Sequence, residues 1–292
     1  MKRKLIQLSP STNVVSLPSK WIQKNKLKKG TEIELEEVEN RIIVSNTSKK
    51  TEKEITIDIS NLNRDLLWRA IDSVYIAGYD IIGLKTKDHK QTAHAAKTPK
   101  YFPGLIVTDE RRNSVRFKDI TGDNQEDVDK ILNRIFNMSI AMLEDGVEAI
   151  KAKDWGTLAD MRKRDIAINS YVSYSLRQLN KYGYTPFSKS GLMHTYIKVI
   201  EMLTDKVYRL FVVIGESKIK VDDKLFMGFI EMYKSIQRLH YNYSQEKLVS
   251  LDDLRVKLLR QMQNIDKRLH THFSEIPNML HDLEEVEMQL NV

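Results

Sequence analysis

The chain contains no cysteine. Disulfides, thiolate zinc sites and cysteine nucleophiles are therefore excluded together, and the composition suits a reducing compartment, so a cytoplasmic location is expected. Long apolar runs are missing as well. The longest stretch of note, Leu210-Phe211-Val212-Val213-Ile214, falls far short of the ~20 residues a helix needs to cross a bilayer, so no membrane insertion is expected. Met1-Lys2-Arg3-Lys4 is basic, but no apolar h-region follows it, which argues against a signal peptide. There is no phosphate-cradling Gly-rich loop, no His-Glu-x-x-His pair and no nucleophile elbow. Together these absences point away from an enzyme and towards a protein that acts by binding.

Acid is absent from the first 31 residues. Lys2, Arg3, Lys4, Lys20, Lys24, Lys26, Lys28 and Lys29 all precede the first carboxylate, Glu32, and these eight bases exceed the whole net charge of +7 carried by the 292-residue chain. A terminus with no internal neutralisation hints at an acidic partner without naming one. Elsewhere the 41% of hydrophobic residues can fill a core, and the 30% of charged residues implies helices with one wet face.

The patterning divides the chain into three parts. In residues 1–47, a strand over 4–8, a polar turn over 9–13, a strand over 14–17, a short helix over 20–26 capped by Ser19, and strands over 31–36 and 41–44 are expected. Trp21 and Ile22 supply the apolar side of that helix. So small a unit buries little area, which makes dimerisation the physical expectation. Residues 47–54 read as a linker. Residues 52–120 read as a small α/β connector: strand 55–59, helix 64–77 capped by Asn63 or Ser60 and closed by Gly78, strand 80–85, a flexible loop over 89–100, and a hairpin of 105–108 with 115–117. From residue 123 to 292 helical spacing takes over. Strand signals end at Asn124, helical spacing runs from Val128 through Val147, and further helices are expected over 157–182, 192–215, 222–243, 251–273 and 277–290, in an antiparallel bundle whose last three helices could repeat the first three on their lengths. The fold class is thus α+β.

Lys2-Arg3-Lys4-Leu5, the polar turn, Val14-Val15-Ser16-Leu17-Pro18, the basic short helix, Leu27-Lys28-Lys29-Gly30 and Ile33-Glu34-Leu35 resemble the AbrB/SpoVT swapped-hairpin family over residues 1–46, with Ser9-Pro10-Ser11 where a glycine-rich turn is common. The resemblance implies an intertwined homodimer that presents basic turns and short helices to DNA. On that reading Arg3, Lys4, Lys20 and Lys24, with Lys2 beside them, contact the phosphate backbone, and Ser11, Thr12 and Asn13 reach phosphates or base edges from an exposed turn. The plainer alternative is a solvated basic face on a module that only dimerises.

The helical part resembles the PhoU family of phosphate-uptake regulators, built as two three-helix repeats, through Glu201-Met-Leu-Thr-Asp205 and Asp165-Ile-Ala-Ile-Asn169. The order of parts matches an archaeal type of fusion between the two families. The PhoU resemblance implies that Asp165, Asn169, Glu201 and Asp205 hold a divalent or trivalent metal ion. Residues four apart share one helix face, and two antiparallel helices could gather the four into an oxygen-rich site for a hard cation. The alternative is an ordinary wet face neutralised by Lys206 and Arg164. His281-Asp282 and Glu284-Glu285 are weak substitutes for a second site. His194, His240, His270, His272 and His281 look scattered, and Tyr171, Tyr174 and Tyr182 look like packing. The expectation is a transcriptional regulator of phosphate uptake, its bundle a sensor or a dock for a transporter ATPase or a sensor kinase. The competing expectation is an adaptor whose N-terminal module only dimerises, with a metal-dependent phosphohydrolase as a third.

Overall fold

The structure, a computed structural model, describes residues 1–292 other than 39, 47–51, 123, 220, 222, 263–264, 267–268, 271–272 and 274. The expected linker and His272 thus fall largely or wholly outside the described residues. The chain forms two compact units, Met1–Thr51 and Glu52–Val292.

The first unit is two hairpins around a short helix. Strands β1 (Ile6–Ser9) and β2 (Thr12–Val14) pair antiparallel, with Ile6 opposite Val14 and Ser9 opposite Thr12. Only Pro10 and Ser11 are left for the turn, so Thr12 and Asn13 are strand residues rather than part of the exposed turn expected for them. Pro18 holds the N-cap position of α1 (Ser19–Lys24) with φ −64°, and Trp21 and Ile22 donate their backbone N–H groups to its carbonyl. Proline needs no donor there, so Ser19 becomes the first helical residue instead of the cap. Strands β3 (Ile33–Val38) and β4 (Arg41–Asn46) form the second hairpin, with Leu35 opposite Val44.

The second unit opens with a β-α-β element. Strands β5 (Glu54–Asp58) and β6 (Ile81–Lys85) are parallel, joined by α2 (Arg64–Ile76). Asn63 caps α2 by accepting from Leu66 N–H at 2.9 Å, and Gly78, at φ +83°, turns the chain after it. The stretch expected to be a loop instead contains α3 (His89–Ala95). Asp88 caps α3 by accepting from Gln91 N–H, while Gln91 Oε1 accepts from Lys87 N–H. This reciprocal arrangement nucleates a helix too short to show apolar periodicity. Strands β7 (Leu105–Arg111) and β8 (Ser114–Asp119) complete a sheet of order β5-β6-β8-β7. Its Ile82, Leu84, Val115 and Phe117 share one core with Leu67, Ile71 and Tyr75 of α2.

Among the described residues, six long helices follow: α4 (Val128–Ala152), α5 (Trp155–Tyr182), α6 (Ser190–Ser217), α7 (Asp223–Tyr241), α8 (Gln245–Met262) and α9 (Ile276–Leu290). Helix α5 packs on α4 and α6, α7 on α4 and α8, and α9 on α6 and α8. The helix expected over 251–273 begins instead at Gln245, where Ser244 accepts from Lys247 and Leu248 N–H; several residues of its expected second half lie outside the described ones. The α/β part and the bundle belong to one compact unit. Arg177 of α5 reaches Asp119 and the carbonyls of Tyr75 and Tyr79, and Ser173 donates to Asp72 of α2 at 2.7 Å.

Candidate nucleic-acid interface and carboxylate cluster

Every residue expected to meet DNA is exposed. Lys2, Arg3 and Lys4 lie in the segment before β1, Ser11 in the turn, Thr12 and Asn13 on β2, and Lys20 and Lys24 one turn apart on α1. Trp21 and Ile22 are half-buried, consistent with packing rather than base stacking. No described side chain of this unit is buried, yet Leu5, Leu8, Leu35 and Ile42 are each 64% to 71% exposed. On the second hairpin the register puts Ile33, Leu35, Ile42 and Val44 on one face. Burying one Leu, Ile or Val fully is worth about 1.5–3 kcal/mol, and an isolated two-stranded hairpin is marginal in water. A unit with its apolar residues outside and none within therefore needs a partner surface.

In the bundle, α5 brings Asp165 and Asn169 against Glu201 and Asp205 of α6. Asp165 is 4% exposed, and its Oδ2 accepts from Asn169 Nδ2 at 3.2 Å. Burial, then the charge and the hydrogen-bonding carboxyl of Asp205, then repulsion from Glu201, push the Asp165 carboxyl up to about 8. Asp165 Oδ1 and Asn169 Oδ1 are buried without a hydrogen-bond partner. Burial also raises Glu201, which is paired with Lys198, while Arg209 meets Asp205 at 3.3 Å. The cations suggested by sequence adjacency are engaged elsewhere, Lys206 with Glu275 and Arg164 with Asp145. Asp72 of α2 joins this neighbourhood from the α/β part, adding its repulsion to Glu201. It was invisible in the helical spacing because it lies about a hundred residues from its partners. Two orphaned buried oxygens suit a hard cation. Among the described residues, however, no three His, Asp or Glu side chains are gathered as a ready cation cage.

Two further charged clusters escaped the linear pattern. Arg177, 1% exposed, and Asp119, with 2% of its side chain exposed, form a buried pair at 2.5 Å. His240, expected to be unremarkable, donates through Nδ1 to Glu287 Oε1 at 2.8 Å, and its Nε2 lies 3.6 Å from Asp129. Burial alone depresses its pKa, but the hydrogen bonds and charges of Asp129 and Glu287 outweigh that and hold it at about 9. At the substitute second site, Arg255 and His281 approach Glu284 at 3.6 and 3.7 Å, so cations already face that carboxylate.

The family described as "Antidote-toxin recognition MazE, bacterial antitoxin" matches residues 6–54. No curated protein matches the chain, and no solved structure does. Among the described residues, no helix is long and apolar enough to cross a membrane. The match covers both hairpins and α1 and ends as β5 begins, so the N-terminal unit is a MazE/AbrB-type module, a kind that typically dimerises and binds DNA.

Proposed function

We propose that the chain is a non-catalytic, DNA-binding transcriptional regulator. The observation that carries this reading is the exposed basic terminus, which holds eight bases and no acid before Glu32, on a MazE/AbrB-type module. Two copies cover each other's apolar hairpin faces, and Lys2, Arg3, Lys4, Lys20 and Lys24 neutralise phosphates while Ser11, Thr12 and Asn13 fix the register. The regulated process, on the resemblance of the helices to PhoU proteins, is phosphate uptake. The bundle senses transport state or docks on a transporter ATPase or a sensor kinase. Asp165, Asn169, Glu201 and Asp205 would hold a divalent or trivalent cation, whose charge would stabilise the buried carboxylates in their ionised form. Electrophoretic shifts on duplex DNA across a salt series test the reading. Affinity that falls steeply with salt, and falls further when Lys2, Arg3 and Lys4 are changed together to alanine, supports it. Absence of any shift at low salt refutes it.

A second reading, an adaptor or antitoxin-type protein in which the module dimerises and the bundle binds a protein, is favoured by the exposed apolar faces, which demand a partner whether or not DNA is bound. Under it the same triple substitution leaves activity intact.

A further inference from the structure

The α/β part carries a strip of cations that the DNA-binding module does not account for. Helix α3 is docked at the start of α2, because Gln91 Nε2 donates to the carbonyls of Ile59 at 2.9 Å and Leu62 at 3.3 Å. One turn into α2, Trp68 meets Tyr101 edge-on at 4.8 Å and stacks on Phe102 at 5.1 Å. Further along, Tyr75 donates its hydroxyl to Pro103 O. Residues 91–103 thus run alongside α2, and Arg64, its first residue, is near enough for its charge to act on His94, as Lys97 does. Lys90, His94 and Lys97 are spaced to share one side of α3 and the turn that continues it. Lys100 closes the row, its Nζ 4.8 Å from the centroid of the Tyr101 ring.

Among the described residues, no carboxylate oxygen lies within 4.0 Å of the charged nitrogens of Arg64, Lys90, Lys97 or Lys100. Other cations of the same unit are paired: Arg116 with Glu54, Lys118 with Glu52, Lys181 with Asp80 and Lys234 with Glu144. The nearest acid on α3, Asp88, spends its carboxylate on the Gln91 N–H. Half-buried His94 has its pKa lowered by burial and then by Arg64 and Lys97, so the cluster is under mutual repulsion that an anion would relieve.

We propose that the row Arg64, Lys90, His94, Lys97 and Lys100 is a second DNA-backbone contact surface, separate from the N-terminal module. Repeating phosphates suit a row of cations that offers no paired carboxylates and no open aromatic face for base readout, since Trp68 is already packed on both Tyr101 and Phe102. The inference rests on the DNA-binding reading of the chain and extends it to a second patch.

The test uses the full chain and a duplex long enough to run past the module's footprint. In one variant Arg64, Lys90 and Lys97 are each changed to Gln; in another Lys2, Arg3 and Lys4 are each changed to Ala. Each lost phosphate contact removes about 0.9 from the slope of log affinity against log salt, so the first variant is expected to lose roughly 2.7 and to bind about tenfold more weakly at low salt. Among the described residues the exposed side chains concerned make no ion pairs, so its melting temperature is expected to stay at the wild-type value. The charge-conserving variant Arg64→Lys, Lys90→Arg, Lys97→Arg is expected to restore the slope, which separates charge from fold. An unchanged slope and affinity in the Gln variant, with binding lost in the Ala variant, overturns this surface and leaves the module's role standing. No binding by the wild-type chain overturns both.

Discussion

Replacing Arg177 by leucine is expected to destabilise the second unit by about 3–5 kcal/mol, the range for removing one partner of a buried ion pair. The figure follows from what the guanidinium holds. Its Nη2 and Nε lie 2.5 and 3.2 Å from Asp119 Oδ2, its Nη1 donates to the carbonyls of Tyr75 at 2.7 Å and Tyr79 at 2.9 Å, and Nη2 approaches Asp80 at 3.4 Å. Leucine would leave the buried Asp119 carboxylate facing, among the described residues, only Thr121 and, at 3.9 Å, Lys181, and would remove a donor from two carbonyls, of which Tyr75 O keeps Gly78 N–H. The apolar volume it adds offsets a part of this, which favours the lower end of the range. Lysine keeps the charge but not the planar fork, so Arg177→Lys is expected to recover less than half of the loss. Urea unfolding followed by helical circular dichroism and by the fluorescence of Trp68 and Trp155 measures the effect, because both tryptophans belong to this unit. In a double-mutant cycle, Asp119→Leu on top of Arg177→Leu is expected to add far less than it does alone, since the stranded carboxylate is then gone. A loss below about 1 kcal/mol for Arg177→Leu, typical of an exposed pair, would refute the claim that this arginine clamps the α/β part to the bundle.

The remaining expectations concern other buried groups. His240 titrates near 9 when folded against 6.5 in its ordinary state, so its stabilisation is complete below pH 6.5 and disappears as pH rises through 9; it is on the order of 3 kcal/mol, and His240→Gln should flatten thermal stability across that window. Asp165, at about 8 when folded against 3.8, likewise favours the folded state only when protonated, so stability declines from about pH 4 to 8; without added cation, Asp165→Asn should melt higher than wild type at pH 8 and equally at pH 4. A Cβ at Gly146 would lie 2.3–2.7 Å from ring carbons of Phe211, so Gly146→Ala should lower stability by about 1–3 kcal/mol, whereas on an exposed helix face it would raise it.

Much of this protein was legible along the chain. The apolar spacing of Ile131, Leu132, Ile135 and Leu143 marks α4, and its neighbours follow the same rule, because an amphipathic helix writes its buried face into its own sequence at a period of 3.6. Alternation did the same for β5 and β3, while β6 shows as a short apolar run between Asp80 and Lys85. The charge asymmetry before Glu32 was visible at once and carries the functional reading. Asp165, Asn169, Glu201 and Asp205 lie close enough for Asp205 and Glu201 to act on Asp165, since each pair shares a helix face and the two helices adjoin, but among the described residues they do not form a cation cage.

What only the tertiary structure decided has a different physical origin. Helix α3 owes its existence to a cap and to Gln91 reaching across 32 residues to Ile59, not to a periodic apolar face. Thr12 and Asn13 became strand because a two-residue turn closed the hairpin, a choice between nearly equivalent local geometries. Arg177 with Asp119, His240 with Glu287 and Ser173 with Asp72 are separated by 58, 47 and 101 residues. No local period relates such partners. Removing water from a charged group is costly, so such groups are tolerated inside only where the fold brings a hydrogen-bonding or oppositely charged partner against them, and that is a property of packing rather than of any stretch of sequence.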